Sequence, residues 1–379
     1  MFFEQGPIRP PSEAGSLLLR FTRNCPWNQC RFCPVYKGQP FSRRSIQEIR
    51  GDIDVVHAII EDLRALSVKM GQGGEITGTV VNAVLTDPAR QGCDRHVATW
   101  AYSGKGTVFI QDANSLLLDT GVLVEALSYL RERVPDVTRV TSYARSQTLS
   151  RKSLQELKAL RAAGLDRIHI GMESGSDAVL AFMRKGATAA QHIDAGVKVV
   201  GAGISLSEYI MPGLGGKEWT REHAIETACV LNAIDPHFIR LRSLRIPPQV
   251  PLREDVEAGR FIPLTDDETV HEIRLLVDSL QGIHSSLTSD HIMNLLEEVA
   301  GTLPEDKGAM LAVIDRYLAL PPEEKLLFRL GRRGGALRAL DELNDPHVHG
   351  RLESARRQLV ADYVKDIERI IVELGDQYI

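Results

Sequence analysis

Apolar segments alternate with amphipathic segments along residues 16–246, and this alternation constrains the fold more than any other feature of the sequence. Segments rich in branched and apolar residues predict six β-strands, at 16–23, 107–112, 137–145, 166–173, 204–216 and 237–246. Apolar residues spaced three and four apart predict helices between them, and Ser153 with Glu156 forms a capping box that begins one. The chain is therefore expected to have an α/β fold with a parallel sheet, either open and doubly wound or a partial barrel.

The pattern changes on either side of this region and once within it. Residues 1–15 form an N-terminal arm, and residues 68–105, which lack a clear period, predict an insertion in the form of a hairpin or a lid. The prolines that begin at Pro247 mark a boundary, so that residues 246–379 are expected to form a helical C-terminal domain behind a barrel domain at 16–245. Helical periodicity in this last part recurs at 289–300, 308–319 and 351–374.

Composition narrows the class of protein. The chain has 379 residues, a net charge of −5 and 43% apolar residues, which does not predict a nucleic-acid-binding protein. No apolar stretch approaches 18 residues and no cationic start leads into an apolar run, so we expect no membrane partner and a cytoplasmic location. In that reducing compartment an odd number of cysteines, five, indicates metal binding or catalysis rather than disulfides.

Three of the five cysteines lie close together in the segment that follows the first strand. Cys25, Cys30 and Cys33 occur in RFTRNCPWNQCRFCPVYKG, residues 20–38. A structural zinc site is closed by four ligands, whereas an iron–sulfur cubane held by three thiolates leaves one iron open to a small molecule. The residues alone leave other readings open: a zinc site that uses Cys30 and Cys33 with distant partners, a chance cluster of core thiols, or a cluster with a fourth ligand. Candidates for that fourth ligand are Cys93, His96 and His169.

The Cys-x4-Cys-x2-Cys loop, placed after the first strand of a six-unit β/α chain, resembles the radical S-adenosylmethionine enzymes, whose usual spacing is one residue shorter. The stretch DRIHIGMESGSDAVLAFMRKGAT, residues 166–188, resembles the fourth-strand region of their coproporphyrinogen oxidase and methylthiotransferase branch. The resemblance covers roughly residues 16–245. It implies a partial (β/α)6 TIM-like barrel, a [4Fe–4S] cluster held by Cys25, Cys30 and Cys33, and S-adenosylmethionine as the second cofactor.

The resemblance also implies where S-adenosylmethionine is bound. Asp112 and Asn114, after the second strand, stand where the family holds the amino group of the cofactor, and their oxygens accept hydrogen bonds from an ammonium group. A helix N-cap is the alternative role for Asn114. Lys185 stands where the branch has an arginine that contacts the cofactor's carboxylate, with Arg184 as its rival. Both cations are alternatively solvated residues at a helix end.

Two further positions belong to this implied site. Glu173, at the end of the fourth strand, is a carboxylate that emerges from an apolar strand and needs partners, such as ribose hydroxyls or the ammonium group. The turn after the fifth strand, YIMPGLGG at 209–216, resembles the one that meets adenine in the family. Met211 could pack on the adenine ring, and Gly213 permits close approach of the backbone.

The implied reaction is reductive cleavage of S-adenosylmethionine to a 5′-deoxyadenosyl radical, which abstracts hydrogen from a small-molecule substrate. The implied electron donor is a reduced flavodoxin or ferredoxin. The alternative function is a non-catalytic iron–sulfur or zinc protein that serves electron transfer or sensing. The basic, glycine-rich segment 329–338 is expected to be a solvated turn rather than a site for phosphate or nucleic acid.

Overall fold

The computed structural model describes residues 1–362, 370, 371, 373 and 374. Its strands are β1 (Leu17–Arg20), β2 (Thr22–Arg23), β3 (Ser42–Arg43), β4 (Thr107–Gln111), β5 (Arg139–Ala144), β6 (Leu165–Glu173), β7 (Ser205–Ile210), β8 (Phe238–Leu241), β9 (Ser286–Thr288) and β10 (Gly301–Thr302). Its α-helices are α1 (Ile46–Lys69), α2 (Gly78–Thr86), α3 (Cys93–Ser103), α4 (Thr120–Arg133), α5 (Ser146–Arg151), α6 (Leu154–Ala162), α7 (Asp177–Phe182), α8 (Ala189–Gly201), α9 (Gly216–Ile234), α10 (Leu252–Glu257), α11 (Asp266–Ser279), α12 (Lys307–Leu318), α13 (Pro322–Arg333) and α14 (Pro346–Asp362). Part of the helix predicted at 351–374 therefore lies outside the described residues.

The chain divides into two compact units. The first unit contains residues 1–28, 35–170 and 198–206, and the second contains residues 29–34, 171–197 and the chain from Ser207 onward. The limits of these units fall within β6 and β7 and differ from the predicted domain limits, which stay predictions. No helix within the described chain is both long and apolar enough to cross a bilayer.

The first unit has a parallel sheet with helices packed around it. Its strand order is β1-β4-β5-β6, with Leu17 paired to Val108 and Thr107 paired to Arg139. Helix α1 begins at a capping box formed by Ser45 and Glu48, and its buried face includes Ile53. The parallel arrangement confirms the predicted α/β class, and the carboxyl ends of these strands meet at one edge of the sheet.

Residues 68–105, predicted to be an insertion in the form of a hairpin or a lid, form helices rather than a hairpin, and a role as a lid stays a prediction. The central part of this segment forms α2 and α3, which contact each other and α1. Val80, Val84 and Trp100 are buried, so short apolar clusters on each helix face the rest of the unit. The scattered glycines lie between and at the ends of these helices. They interrupt the helical periodicity, so two short helices were not recognised in the sequence.

The second unit continues with parallel strands. Strands β7, β8 and β9 are parallel in that order, and the short strand β10 pairs antiparallel to β9. Helix α11 begins at a capping box formed by Thr265 and Glu268, and it packs against α9 and α12. Strand β9 falls in the part of the chain for which only helices were predicted.

The prediction of a helix at 289–300 is wrong, because this segment consists of turns. The buried side chain of Asn294 accounts for the difference. Its Nδ2 donates to the Leu241 carbonyl at 2.9 Å and to Ser289 at 3.0 Å, and its Oδ1 accepts from the Ser243 backbone at 2.9 Å. These bonds to the end of β8 replace a helical ladder.

The prediction of a solvated turn at 329–338 is also wrong. Arg329, Arg332 and Arg333 lie at the end of α13 and are buried. Arg333 donates to the Met293 carbonyl at 2.8 Å, and Arg332 donates to the carbonyls of Leu295 and Asn294. Guanidinium groups thus satisfy carbonyls that the non-helical segment 289–300 leaves without backbone partners.

Candidate active site

The part of the cysteine segment that belongs to the first unit is anchored to the end of β4. The Asn28 backbone donates to the Cys25 sulfur at 3.4 Å, and the Tyr36 hydroxyl donates to Asp112 at 2.8 Å. Tyr36 is buried, and burial together with the negative charge of Asp112 raises the pKa of its phenol well above the ordinary value. The phenol therefore stays protonated and serves as a permanent donor to Asp112.

Asp112 and Asn114, the predicted contacts to the amino group, are both buried at this edge of the sheet. Asp112 has a left-handed backbone, with φ of 69°, and its second oxygen accepts from the Arg20 guanidinium. Asn114 accepts from the Arg145 backbone at 3.1 Å and donates to Thr148 at 2.8 Å. Asn114 thereby binds the start of α5 and makes no cap bond to its own 3-10 helix. The cofactor role of both residues stays a prediction.

The remaining part of the cysteine segment, residues 29–34, packs in the second unit. The Arg31 backbone donates to the Met183 carbonyl at 3.0 Å, and the Leu252 backbone donates to the Arg31 carbonyl at 3.0 Å. Phe32 belongs to a buried apolar cluster against which Cys30 and Cys33 pack. The backbone around these two cysteines is thus fixed by the end of α7 and by the start of α10.

Glu173 and Lys185 form an ion pair beside this segment. Lys185 Nζ lies 3.0 Å from Glu173 Oε1, and each side chain is 13% exposed. Lys185 Nζ also lies 5.8 Å from the centre of the Phe32 ring, next to Cys33. The rival cation, Arg184, is exposed. The second unit thus brings together Glu173, Lys185 and the Phe32–Cys33 segment, and the cofactor roles of Glu173 and Lys185 stay predictions.

Met211 and Gly213 lie at the end of β7, and buried hydrogen bonds fix both. The Met211 backbone donates to the Glu173 carbonyl at 3.0 Å, so the turns after β6 and β7 are tied together. His223 Nε2 lies 3.1 Å from the Met211 carbonyl and must donate to it, which leaves Nδ1 to accept from the Ser174 hydroxyl at 2.8 Å. The Gly213 backbone donates to a buried glutamate, Glu272, at 2.6 Å.

Glu208, on β7, was not singled out in the sequence. It has 0% exposure, and neither of its carboxylate oxygens has a hydrogen-bond partner among the described residues. Burial, and next the charge of Glu173, raise its pKa well above the ordinary value, although Lys185 opposes this. The sequence ISLSEYI did contain a signal for this residue, because a single carboxylate interrupts an apolar strand. Its neighbours on both sides of the strand are also buried, so the pattern of apolar and polar residues could not show which side of the sheet Glu208 faces.

The thiols fit an iron–sulfur cluster by their chemistry. Cys25, Cys30 and Cys33 are partly buried and none of them is in a disulfide. Thiolates are the ligands that such clusters require, and backbone N–H groups that point at cysteine sulfur are favourable around them. Within the described part of the chain, no three His, Cys, Asp or Glu side chains already form a metal-binding group. The assignment of the three ligands therefore depends on the donor set and its spacing.

Parallel strands covered by helices define the fold class as α/β, and functional sites in such folds commonly lie at the carboxyl ends of the strands. Residues 92–228 match the family model described as the radical SAM superfamily. This part of the chain is therefore similar to the domain of a superfamily that uses a [4Fe–4S] cluster and S-adenosylmethionine. The matched residues begin after the cysteine segment, so they do not include its three thiols.

Solved structures with similar folds include several radical SAM proteins. An archaeal Elp3 from Methanocaldococcus infernus is 14% identical, with 49% of each chain covered and a TM-score of 0.39. Coproporphyrinogen III oxidase (HemN) from Escherichia coli is 14% identical over 70% of this chain and 52% of its own, with a TM-score of 0.44. Methylornithine synthase (PylB) is 13% identical over 79% and 69%, with a TM-score of 0.42. The chain thus spans about half the length of the first two proteins. No curated protein sequence matches it.

Proposed function

We propose that Cys25, Cys30 and Cys33 hold the [4Fe–4S] cluster and leave one iron open for S-adenosylmethionine. When bound, these two cofactors supply a 5′-deoxyadenosyl radical by one-electron reductive cleavage, and the radical abstracts hydrogen from the substrate. The observation that carries the proposal is the position of Lys185, which contacts both Glu173 and the ring of Phe32 beside Cys33. A cation next to a cluster ligand is suited to hold a carboxylate group in place there.

The other polar groups of the second unit have complementary roles in this proposal. Glu173, oriented by Lys185, presents its second oxygen to hydroxyl or ammonium donors. Glu208 has two oxygens without hydrogen-bond partners among the described residues, and its raised pKa favours the protonated carboxyl, which can donate to and accept from a ribose hydroxyl. Met211 and the left-handed backbone at Gly213, with φ of 86°, are available to the adenine ring.

Enzymes of this superfamily need a reductant and generally act on small molecules. We propose a reduced flavodoxin or ferredoxin as the electron donor, a small-molecule substrate and a cytoplasmic location, which suits five cysteines that form no disulfide. Asp112 and Asn114 bind the amino group in this scheme, while their observed hydrogen bonds keep the cysteine segment and α5 in position.

Anaerobic reconstitution with iron and sulfide tests the proposal. The parent protein with dithionite and S-adenosylmethionine is expected to form 5′-deoxyadenosine and methionine, and Cys33→Ala to form neither. Cys229→Ala is the matched control, because Cys229 is an exposed cysteine outside the segment. It should keep both the iron content and the rate of the parent.

The experiment also separates the enzyme from the alternative function. A reconstituted protein that keeps its cluster but neither binds nor cleaves S-adenosylmethionine would be an electron carrier or sensor. A protein that retains only zinc, with Cys25→Ala leaving the bound zinc unchanged, would contradict a three-cysteine iron site.

A further inference from the structure

Two arginines at the end of β8, in the second unit, lie on the same face of the sheet. Arg240 belongs to the strand and Arg242 follows its last residue, so the two are on one side by the alternation of side chains along a strand. The Arg242 backbone donates to the Ile210 carbonyl at 2.8 Å, which joins the end of β8 to the end of β7. Functional sites of α/β folds commonly lie at such strand ends, and none of the roles described above uses these arginines.

Both guanidinium groups face one carboxylate, that of Asp290 just after β9. Arg242 Nη1 donates to Asp290 Oδ1 at 2.8 Å, and Arg240 Nη1 lies 3.6 Å from Asp290 Oδ2. Within the described part of the chain, no other carboxylate lies at ion-pair distance from either arginine. Two positive charges thus share one negative charge. The side chains of Arg240 and Arg242 are 9% and 11% exposed, whereas that of Asp290 is 43% exposed.

Hydrogen bonds fix both guanidinium groups and leave part of each one unused. Arg242 Nη1 also donates to the Leu241 carbonyl at 2.8 Å. The Nε and Nη2 atoms of Arg242 form the edge that binds a carboxylate in a bidentate manner, and neither has a hydrogen-bond partner among the described residues. Arg240 donates through Nε to Ser207 at 3.2 Å and through Nη1 to Thr288 at 3.5 Å, but its Nη2 donates to no described residue. An acidic group of a ligand would supply the missing acceptors.

Aromatic rings support both arginines. The guanidinium carbon of Arg242 lies over the ring of Tyr209, 5.2 Å from its centre, and that of Arg240 lies over the ring of Phe238 at 5.5 Å. Contact with an aromatic face restricts a guanidinium group while its N–H edges stay available for hydrogen bonds. Groups that are already held in place lose less conformational entropy when a ligand binds.

We propose that Arg240 and Arg242 bind an acidic group of a small molecule, which is a carboxylate or a phosphate. Guanidinium groups bind both anions through paired N–H bonds. Asp290 is the competing counter-ion, and it lies at the exposed side of the two arginines. Because Arg242 is bonded to Ile210, which precedes Met211, the bound molecule is the substrate of the radical reaction. This second part rests on the proposed function.

Three probes with a single methyl group test the binding: acetate, methylphosphonate and the neutral acetamide. NMR titration of the methyl signal against the full chain, reconstituted anaerobically, compares their affinities. At least one anion is expected to bind about tenfold more tightly than acetamide, which corresponds to one charge-assisted contact. The stronger anion distinguishes a carboxylate ligand from a phosphate ligand. Equal affinity for all three probes would overturn the proposal.

Substitutions locate the site. Arg242→Met is expected to weaken anion binding about tenfold, whereas Arg274→Met, which removes a more exposed guanidinium paired with Asp315, should leave it within about twofold. Lys185→Met tests the other positive group near the strand ends. If Lys185→Met weakened anion binding more than Arg242→Met, the anion would lie at the pair of Glu173 and Lys185, and the proposal would be wrong.

Asp290→Asn gives an effect in the opposite direction. It removes the competing carboxylate from an exposed position and is expected to strengthen anion binding about threefold or more. Loss of a merely structural ion pair would not increase affinity for an anion. Unchanged or weaker binding in this variant would refute the site, and this result decides even if Arg242→Met does not fold.

Formation of 5′-deoxyadenosine without substrate is measured in the same preparations. Cleavage without anion binding would leave the proposed function standing and remove the arginine site. Anion binding without cleavage would do the opposite, so the two failures are distinguishable.

Discussion

The ammonium group of Lys185 lies 3.0 Å from the carboxylate of Glu173, its ion-pair partner twelve residues earlier in the chain. The intervening helix α7 is short, and it returns the chain to the end of β6. Both side chains are mostly buried, so the pair is less screened by solvent than a surface salt bridge. A lysine in this position neutralises Glu173 and places a positive charge beside the Phe32–Cys33 segment.

Replacing Lys185 therefore tests its proposed contact with S-adenosylmethionine. Lys185→Met is expected to weaken binding of the cofactor by about tenfold or more, because a charge-assisted hydrogen bond contributes about 1.5–3 kcal/mol. Lys185→Arg keeps the charge and should retain most of the affinity. Equilibrium binding of S-adenosylmethionine to the reconstituted protein measures both. Arg184→Met, which removes the exposed neighbouring cation, is the control. If Arg184→Met lost more affinity for S-adenosylmethionine than Lys185→Met, Arg184 and not Lys185 would be the contact to the cofactor's carboxylate.

Two glycines near Glu173 give opposite expectations. An added Cβ at Gly171 would lie 2.2 Å from Glu173 Oε1, which is the end of a flexible side chain, whereas at Gly175 it would lie 2.5 Å from the backbone carbonyl of Glu226. Gly171→Ala should therefore displace the Glu173 carboxylate and weaken cofactor binding with little effect on stability. Gly175→Ala should lower the free energy of unfolding by about 1–3 kcal/mol, because backbone must move.

Urea unfolding and cofactor binding, measured on both glycine variants, separate these effects. Comparable destabilisation in the two variants would show that the Glu173 side chain cannot rotate away from Gly171. In that case the ion pair with Lys185 is held more rigidly than its exposure suggests.

Local signals in the sequence predicted much of this fold. Ser153 and Glu156 form the predicted capping box, in which the Ser153 backbone N–H donates to the Glu156 carboxylate at 2.8 Å. The strand predicted at 107–112 differs from β4 by one residue. Both features depend on neighbours within a few residues. The three-residue strand β9 carries too short a pattern to be recognised, and it becomes a strand only by pairing with β8.

The errors have a different origin, since they depend on residues distant in sequence. The segment around Asn294 has helical periodicity, but bonds to Leu241 and Ser243, about fifty residues earlier, decide its conformation. A cofactor contact at Lys185 was predicted by motif and stays a prediction, whereas the closeness of Glu208 to Glu173 is visible only in the folded chain. The pattern of residues indicates side chains that need partners, but it does not identify those partners.

Glu208 makes the stability of the protein depend on pH in a defined direction. Its pKa is raised in the folded protein above the ordinary 4.5, so the folded state holds a proton that the unfolded state releases. Below about pH 4.5 the carboxyl group is protonated in both the folded and the unfolded state and costs no stability. As the pH rises from there toward the raised pKa of the folded state, the free energy of unfolding falls. The fall approaches about 1.4 kcal/mol per pH unit for this one group.

Glu208→Gln removes this titration, and urea unfolding from pH 4 to pH 8 measures the result. The variant should match the parent near pH 4 and become progressively more stable than the parent above it. A constant difference across the range would show that Glu208 is ionised in the folded protein, with a partner for its charge. Lys185→Met should enlarge the pH dependence, because Lys185 opposes the raised pKa.

The bond between the Tyr36 hydroxyl and Asp112 provides a test of how the cysteine segment is held. Tyr36→Phe removes the 2.8 Å hydrogen bond and leaves a buried carboxylate that, among the described side chains, accepts from Arg20. We expect a loss of about 1–3 kcal/mol in stability, which is typical when a buried acceptor loses its partner. Because Tyr36 belongs to the same segment as Cys25, iron retained after reconstitution should also decrease.

Tyr129→Phe is the matched control for this substitution. Tyr129 donates to Asp54 at 2.6 Å, but the pair joins α4 to α1 on the outside of the first unit. It should change stability less and leave the iron content as in the parent. Iron analysis and urea unfolding of both variants show whether Tyr36 has a specific effect on iron retention. Equal iron loss in the two variants would mean that iron retention follows overall stability. Iron loss confined to Tyr36→Phe would mean that Asp112 positions the cysteine segment through Tyr36, whatever it also binds.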